Sequence, residues 1–568
     1  MPAQNLGDGP GMIAPVAEFP FDRYVRYEEL TQLLNDCATQ HPDLVSIESI
    51  GQSHEGREIW LVTVTDSATG PAEEKPAFWC DGNIHASEVS ATSAVLKILS
   101  KLVTERPAIL QERAFYLVPR LCPDGAEWAL ADVPKLIRSS TRPYPYDAED
   151  PYGLEKEDVD GDGRILNIRV PDPNGPWTIS ELNPRLMRRR EPGENTGPNY
   201  RILPEGTFKN FDGLTMRATQ AKEGLDLNRN FPSAWRPEYQ QMGAGDFPTS
   251  EPEVRAAVSA IVNRPNICGA ITFHTYSGVL LRPPSRMPDT DIPAEDLWTY
   301  QAIGAVGKEM TGYPDISNYH EFRYHPKQVI TGVFDDWAYE HRGIHAWTVE
   351  IWAPVRQAGI TDYKYIDWFR DHPHEDDVKM LEWSDRDLEG KGYIDWYPFE
   401  HPQLGPVEIG GWDAFYAFRN PPPPLLDKEI TPLADWAIWH AGTGPRLGLR
   451  AVLTEPVGNA WKIRFAVQNE GWLPTNVTQY GQERKLCRGV LGTITRLDEE
   501  TDWLLSGRLN PESPQLKGYS HVTAGGWGYS VDATDDVAVF EWIVTPGFYQ
   551  LEARHDRAGT VRTEISVG

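Results

Sequence analysis

The 568-residue sequence predicts an α/β region built on a largely buried sheet, followed by a C-terminal all-β sandwich. Three observations carry that expectation. Apolar runs at Ala77–Cys80, Ala114–Val118, Ile267–Phe273 and His345–Ile351 are short and almost unbroken, as strands covered on both faces are. Between them, Glu88–Val103 and Val254–Val262 repeat apolar residues at the helical interval. Beyond about residue 446 the pattern changes to short stretches such as "LGLRAVLTE", "WKIRFAVQN" and "FYQLEARH", separated by Gly, Pro and Asn turns.

Taken in order, residues 1–20 read as a draped or disordered arm and 21–412 as the α/β region. "YEELTQLLNDCATQHP" has helical spacing and "EIWLVTVTD" strand character. Ser250 and Glu253 stand at the spacing of a capping box before the helix over Val254–Val262. Two segments interrupt the alternation. Residues 143–220 are rich in Pro, Gly, Asp and Arg with little periodicity, which predicts a long ordered insertion or lid beside a site. Residues 413–445 contain "RNPPPPLLDKE" and read as a stiff proline-rich linker, leaving 446–568 for the sandwich.

The formal charge of -29, with no concentrated basic block, argues against nucleic acid or an anionic membrane as partner. The first residues lack a basic and apolar leader, and no stretch approaches 18 uninterrupted apolar residues, so the expectation is a cytoplasmic protein with no membrane insertion. Cys37, Cys80, Cys122, Cys268 and Cys487 are scattered and odd in number, which fits reduced thiols; Cys122 in "PRLCPDG" has no adjacent base to make it a nucleophile.

In "FWCDGNIHASEVSATSAVLKIL", His85 and Glu88 stand three residues apart where a strand gives way to a helix, and imidazole with carboxylate suits zinc. Alone, that spacing is a weak signal. His274 ends the apolar strand "ICGAITFH", so a two-His, one-Glu set is available with a coordination position left for water. Glu350, in "HAWTVEIW", is a carboxylate among apolar and aromatic residues, costly unless paired or functional, and it suits a general base.

From Tyr24 to Ala353 the sequence resembles the zinc metallocarboxypeptidases of the carboxypeptidase A type. "GNIHASE" resembles the segment with the first two zinc ligands, and "LVPRLCPDG" is similar to an Asn-Pro-Asp-Gly strand end with Cys122 in place of Asn. "LIRSSTR" puts Arg138 where the oxyanion-stabilising arginine belongs. "GLDLNRNFP" supplies Asn228 and Arg229, the pair that grips a substrate's terminal carboxylate, and "FHTYSG" supplies His274. "DDWAYEHRGIHAWTVEIW" keeps the interval from Asp336-Trp337 to the catalytic Glu350. The resemblance implies a mixed, largely buried sheet flanked by helices, one zinc ion per chain on His85, Glu88 and His274, and hydrolysis of the C-terminal bond of a peptide with a free carboxylate. It also puts Asp335 at the bottom of the side-chain pocket, where an acid favours basic C-termini; the alternative is that Asp335 caps a helix beginning at Trp337.

The sequence departs from the family where a mobile tyrosine should stand: that position is Gln328, with Tyr319 or Tyr324 as possible substitutes. Too few residues precede the pattern for an inhibitory prodomain, so no zymogen is expected. "DVDGDGRI" carries Asp158, Asp160 and Asp162 at the alternation of a calcium loop, but Arg169 occupies the twelfth position, and a tight Asx/Gly turn is the competing reading. Arg188-Arg189-Arg190 reads as a solvated face or an aid to anionic substrates. Two other functions stay open: an amidohydrolase of N-acyl amino acids or cell-wall peptides, and an inactive zinc-binding protein whose sandwich binds partners.

Overall fold

The computed structural model describes residues 18–145, 152–194, 197–219, 222–325, 327–498, 500–520 and 532–568. The expected N-terminal arm lies, up to residue 17, outside them. In chain order the elements of the first core are α1 (Tyr27–Gln40), β1 (Val45–Gln52), β2 (Glu58–Val64), β3 (Ala77–Gly82), α2 (Ser90–Glu105), β4 (Ala114–Val118), α3 (Pro252–Val262), β5 (Ile267–Thr275), β6 (Val279–Arg282), α4 (Ala294–Thr311), β7 (Asp315–Ser317), α5 (Phe334–Arg342), β8 (His345–Ile351) and α6 (Pro423–Ala441).

The eight strands form one mixed sheet in the order β1-β2-β4-β3-β5-β8-β6-β7. Its centre, β4-β3-β5-β8, is parallel, and β2 and β6 flank it antiparallel. Every residue of β3, β4 and β5 is buried, which is why each reads as an apolar run with no polar alternation. Phe78 and Cys80 pack with Leu99 of α2, Ile303 of α4 and Leu433 of α6, while Trp79 between them packs with Ile261 of α3 and Trp337 of α5. The sheet is therefore covered on both faces.

Three expectations are corrected. Most of 413–445 is no polyproline spacer: Pro423 and Pro424 sit in the first turn of α6, where a missing N–H breaks no intrahelical bond, and Leu426, Ile430, Leu433, Ala434 and Ala437 form a buried stripe behind them. Ser250 and Glu253 form no capping box, because α3 starts at Pro252 and Glu253 instead accepts from the His54 N–H at 3.0 Å. Asp335 does not cap a helix at Trp337, since α5 already begins at Phe334 with Val333 at its N-cap.

The insertion is a sheet. Asn167–Pro171, Trp177–Ile179, Met187–Arg189 and Asn199–Pro204 join the later hairpin Tyr393–His401 and Gly405–Trp412 in six antiparallel strands, around Leu166, Ile168, Leu203 and Ile409. The arginine run belongs to this unit: Arg188 pairs with Glu181 and Glu194, Arg189 lies over the Trp177 ring, and Arg190 donates to the Gly175 carbonyl.

At the C-terminus, a four-stranded and a three-stranded antiparallel sheet enclose Ile463, Phe465, Trp542, Tyr549 and Leu551. This unit docks on the C-terminal end of α5. The buried Arg557 guanidinium donates to the carbonyls of Arg342, Gly343 (2.9 Å) and Asn476 (2.7 Å), and the Thr478 hydroxyl donates to Gly343 at 2.9 Å. Gly343 ends α5 at φ +61°, and a Cβ there would stand 2.8 Å from the Cα of Gly481, so a side chain has neither the backbone conformation nor the room. No helix among the described residues is long and apolar enough to cross a membrane. All five cysteines are free, and burial holds the Cys122 thiol well above its ordinary range, which leaves it without nucleophilic character.

Candidate active site

The site gathers at the C-terminal ends of the central strands. β3 ends in Gly82, where a Cβ would meet the Ala91 carbonyl oxygen at 2.6 Å, so the chain turns directly into the loop before α2. Asn83 holds that loop by donating to the carbonyls of His85 (2.7 Å) and Ala86 (3.2 Å). The loop then presents His85 and Glu88. β5 delivers His274, and Glu350 lies beside it in register on the neighbouring strand β8.

His85, Glu88 and His274 converge as expected, all buried. His85 Nδ1 lies 3.0 Å from Glu88 Oε1 and 3.0 Å from His274 Nδ1, and His274 Nδ1 lies 3.2 Å from Glu88 Oε2. Donors on a tetrahedral ion with bonds of about 2.0–2.1 Å stand roughly 3.3 Å apart, so two imidazole nitrogens and a carboxylate oxygen at these separations fit zinc, with a position left open. Burial drives the Glu88 carboxyl up, but His85 and His274 outweigh it and hold the group well below the ordinary range. Burial lowers the His274 imidazole to about 4, which keeps it the neutral form that a metal needs.

Asp226 was not anticipated, although it lies inside the "GLDLNRNFP" stretch. Its Oδ1 is 3.0 Å from His85 Nε2, the far side of the ring from the donor set, an arrangement that fixes the tautomer of a metal-binding histidine. The same carboxylate accepts from Arg138 Nε at 2.9 Å and from the Asn228 N–H at 3.0 Å, starting the short turn Leu227–Arg229. Burial pushes Asp226 up, but Arg138 and Arg229 hold it well below the usual carboxylate range. One acid thus ties a candidate ligand to two candidate substrate groups.

Arg138 reaches from Asp226 to Glu88 Oε1 (3.4 Å) and keeps 39% of its side chain exposed against 1% for Glu88, so its guanidinium is open to the cleft. Asn228, Arg229, Asp335 and Glu350 line one pocket together with Arg138, His85 and His274. Asn228 Oδ1 accepts from the Phe334 N–H at 2.9 Å and so anchors the start of α5. Asp335 is buried on the pocket wall, accepting from Asn318 Nδ2 at 2.7 Å, and burial raises its carboxyl above the ordinary range. Burial and the Glu88 charge hold the Glu350 carboxyl well above its ordinary range, against the pull of Arg138, Arg419 and Arg229. Tyr324 lines the same pocket; Tyr319 instead lies beneath the Arg323 guanidinium.

A second unanticipated group comes from beyond β8. Arg419 ends the turn Ala414–Arg419, and its Nη1 lies 3.5 Å from Glu88 Oε1. No feature of the neighbouring sequence marks it.

The candidate calcium loop does not assemble as expected. Asp158 and Asp160 come together with Glu205, but Asp162 turns away to pair with Arg164 at 2.6 Å. Asp158 accepts from the N–H groups of Gly161 and Gly163, and Glu205 from those of Val159 and Leu166, so these carboxylates serve the turn, and calcium finds no support.

A family model described as zinc carboxypeptidase matches residues 30–160 and 184–366, more than half of the chain, and a model of a domain of unknown function matches 446–566. The chain is 25% identical over 338 residues to carboxypeptidase B of Astacus astacus, covering 58% of this chain and 86% of that protein. It is 30% identical over 123 residues to the zinc carboxypeptidase of Saccharothrix mutabilis subsp. capreolus, covering 20% of this chain and 28% of that one. The solved carboxypeptidase A of Helicoverpa armigera is 16% identical with a TM-score of 0.41, over 66% of this chain and 75% of that chain.

Proposed function

Because the chain belongs to the zinc carboxypeptidase family, we propose that it is a metallocarboxypeptidase that releases the C-terminal residue of peptides at one zinc ion held by His85, Glu88 and His274. The observation that carries this reading is the convergence of those three donor atoms with Glu350 beside them in register. Zinc, when bound, supplies Lewis acidity at the scissile carbonyl and lowers the pKa of a coordinated water. Glu350 takes the proton of the attacking water and later delivers it to the leaving amine, a role that its place beside His274 in register supports. Arg138, fixed by Asp226 and open to the cleft, meets the charge that develops on the carbonyl oxygen. Asn228 and Arg229 take the terminal carboxylate, Arg229 through its planar fork. Tyr324 replaces the family tyrosine absent at Gln328 and closes over the substrate; its place in the pocket supports this.

Asp335 gives the enzyme a preference for basic C-terminal residues. A buried carboxylate on the pocket wall regains its lost hydration only when a cation arrives, and a charged hydrogen bond is worth roughly 1.5–3 kcal/mol, about 10–150-fold in selectivity. The test is a mass-spectrometric screen of peptides ending in Arg, Phe and Glu, with and without a chelator, on wild type and Asp335→Ile. The expected result is chelator-sensitive release favouring Arg, with the preference lost in the variant. The same ranking in both proteins would remove Asp335 from specificity, and cleavage of N-acyl amino acids in place of peptides would favour the amidohydrolase.

A further inference from the structure

Arg419 belongs to a part of the chain that the family model does not reach, yet its guanidinium stands at the donor set. The turn that carries it is fastened there from both ends. Asp413 accepts from the N–H groups of Phe415 (3.1 Å) and Tyr416 (2.9 Å), which sets the turn Ala414–Arg419. Asn420, fully buried, then clasps the loop of the first two candidate ligands: its Nδ2 donates to the Ser87 carbonyl at 2.9 Å, and its Oδ1 accepts from the Ser90 N–H at 3.0 Å. Arg419 is thereby held over Glu88.

Asp226 joins Arg229 and Arg138 on one flank of Glu88, and the pocket there contains Arg138, Arg229 and Asp335 but not Arg419. Arg419 meets the same Glu88 oxygen as Arg138 without lining that pocket, its guanidinium 5.6 Å from the centre of the Tyr276 ring. Tyr276 packs edge-on against Phe369 and Phe418, so the cation is backed by an aromatic wall while 33% of its side chain stays exposed. Glu88 is also the only carboxylate within ion-pair reach of Arg419 among the described residues. The other N–H donors of Arg419 have no carboxylate to bind among the described residues.

We infer that Arg419 is a substrate-binding residue on the acyl side of the scissile bond, selecting peptides with an acidic side chain on the residue that supplies the scissile carbonyl. The assignment rests on the carboxypeptidase reading and extends it: with the terminal carboxylate at Arg229, the substrate runs past the donor set to the side where Arg419 waits. A carboxylate there gains a planar two-point partner, an amide gains a neutral acceptor only, and an ammonium is repelled.

The test uses full-length zinc-loaded protein and N-acetylated tripeptides that share one C-terminal residue and carry Glu, Gln or Lys before it. Calorimetric affinity is measured separately from residue release, with zinc content and melting temperature determined for each protein. Wild type should bind the Glu peptide about tenfold or more tightly than the Gln peptide, and the Lys peptide most weakly. Arg419→Met should level the series at unchanged zinc content, and Arg419→Lys should keep the order with smaller differences, which a purely structural role would not produce. A wild type indifferent to the three peptides, or the same ratios in wild type and Arg419→Met, would overturn the assignment. Absence of release by the wild type, with the affinity order intact, would instead condemn the carboxypeptidase reading.

Discussion

Glu350 is the residue most at odds with its surroundings. It is the last residue but one of a strand whose other residues are all buried, its Oε2 is buried with no hydrogen-bond partner among the described residues, and its carboxyl is held well above the ordinary range. A group so placed is costly to the fold and useful to a reaction that moves a proton. Glu350→Gln should therefore retain about one zinc per chain by elemental analysis and lose roughly 10²–10⁴-fold in peptide turnover. Turnover near that of the wild type would take Glu350 out of the mechanism. The same oddity made Glu350 legible in the sequence, because a carboxylate among apolar neighbours is visible without any partner in view. His85 and Glu88 are legible because they stand where a strand gives way to a helix, and His274 because it ends an apolar run. Asp226, Arg419 and Asn420 carried no such mark. Their meaning lies in contacts across 141 to 333 positions, which local composition does not encode.

Elements were readable where packing and local pattern agreed. β4 and β8 occupy the residues that their apolar runs predict, since strands buried on both faces leave no polar alternation to confuse the reading. Helix α6 is hidden in the sequence because its prolines stand where a spacer would also have them, and only the stripe behind them betrays a helix. His440, near its end, is buried against Phe78 at 4.8 Å, with Nδ1 bonded to the Thr443 hydroxyl at 3.2 Å and Nε2 unpartnered among the described residues. Burial holds its imidazole down at about 3, against about 6.5 in an unfolded chain. Between those values the unfolded chain binds a proton that the folded chain excludes. The contribution of His440 to stability is therefore complete above about pH 6.5 and is lost as pH falls toward 3. Burial lowers His345 and His555 likewise to about 3, while Glu253, raised by burial to about 7, titrates with the opposite sign, so a single melting curve mixes several groups. The difference between wild type and His440→Phe isolates the histidine: on going from pH 7 to pH 5 the wild type should lose about 2 kcal/mol relative to the variant. A difference independent of pH would mean that His440 keeps its ordinary proton affinity in the fold.

At the scale of the whole molecule, the C-terminal unit is joined to the rest through α5, the helix whose other end holds Asp335. Arg557 fills the carbonyl end of that helix, and Asp296 of α4 accepts from the backbone N–H groups of Gln479 (2.6 Å) and Tyr480 (2.9 Å) and from the Tyr339 hydroxyl (2.7 Å). All three candidate zinc ligands lie outside this joint, so Arg557→Met should keep its zinc while losing about 3 kcal/mol or more of stability, because buried carbonyls are left without a donor. Its KM for basic substrates should rise more than its kcat falls, since α5 carries a pocket wall and not the proton-transfer group. Unchanged melting temperature and KM would make the joint an inert contact. The clasp formed by Asn420 has a further consequence for anyone who wishes to move this site elsewhere. The family model's match ends at residue 366, but the ligand loop is held by Asn420, and α6 follows at once to cover the sheet. A transplant cut at residue 366 would leave behind the latch on its own ligands; a portable unit has to run on through residue 441.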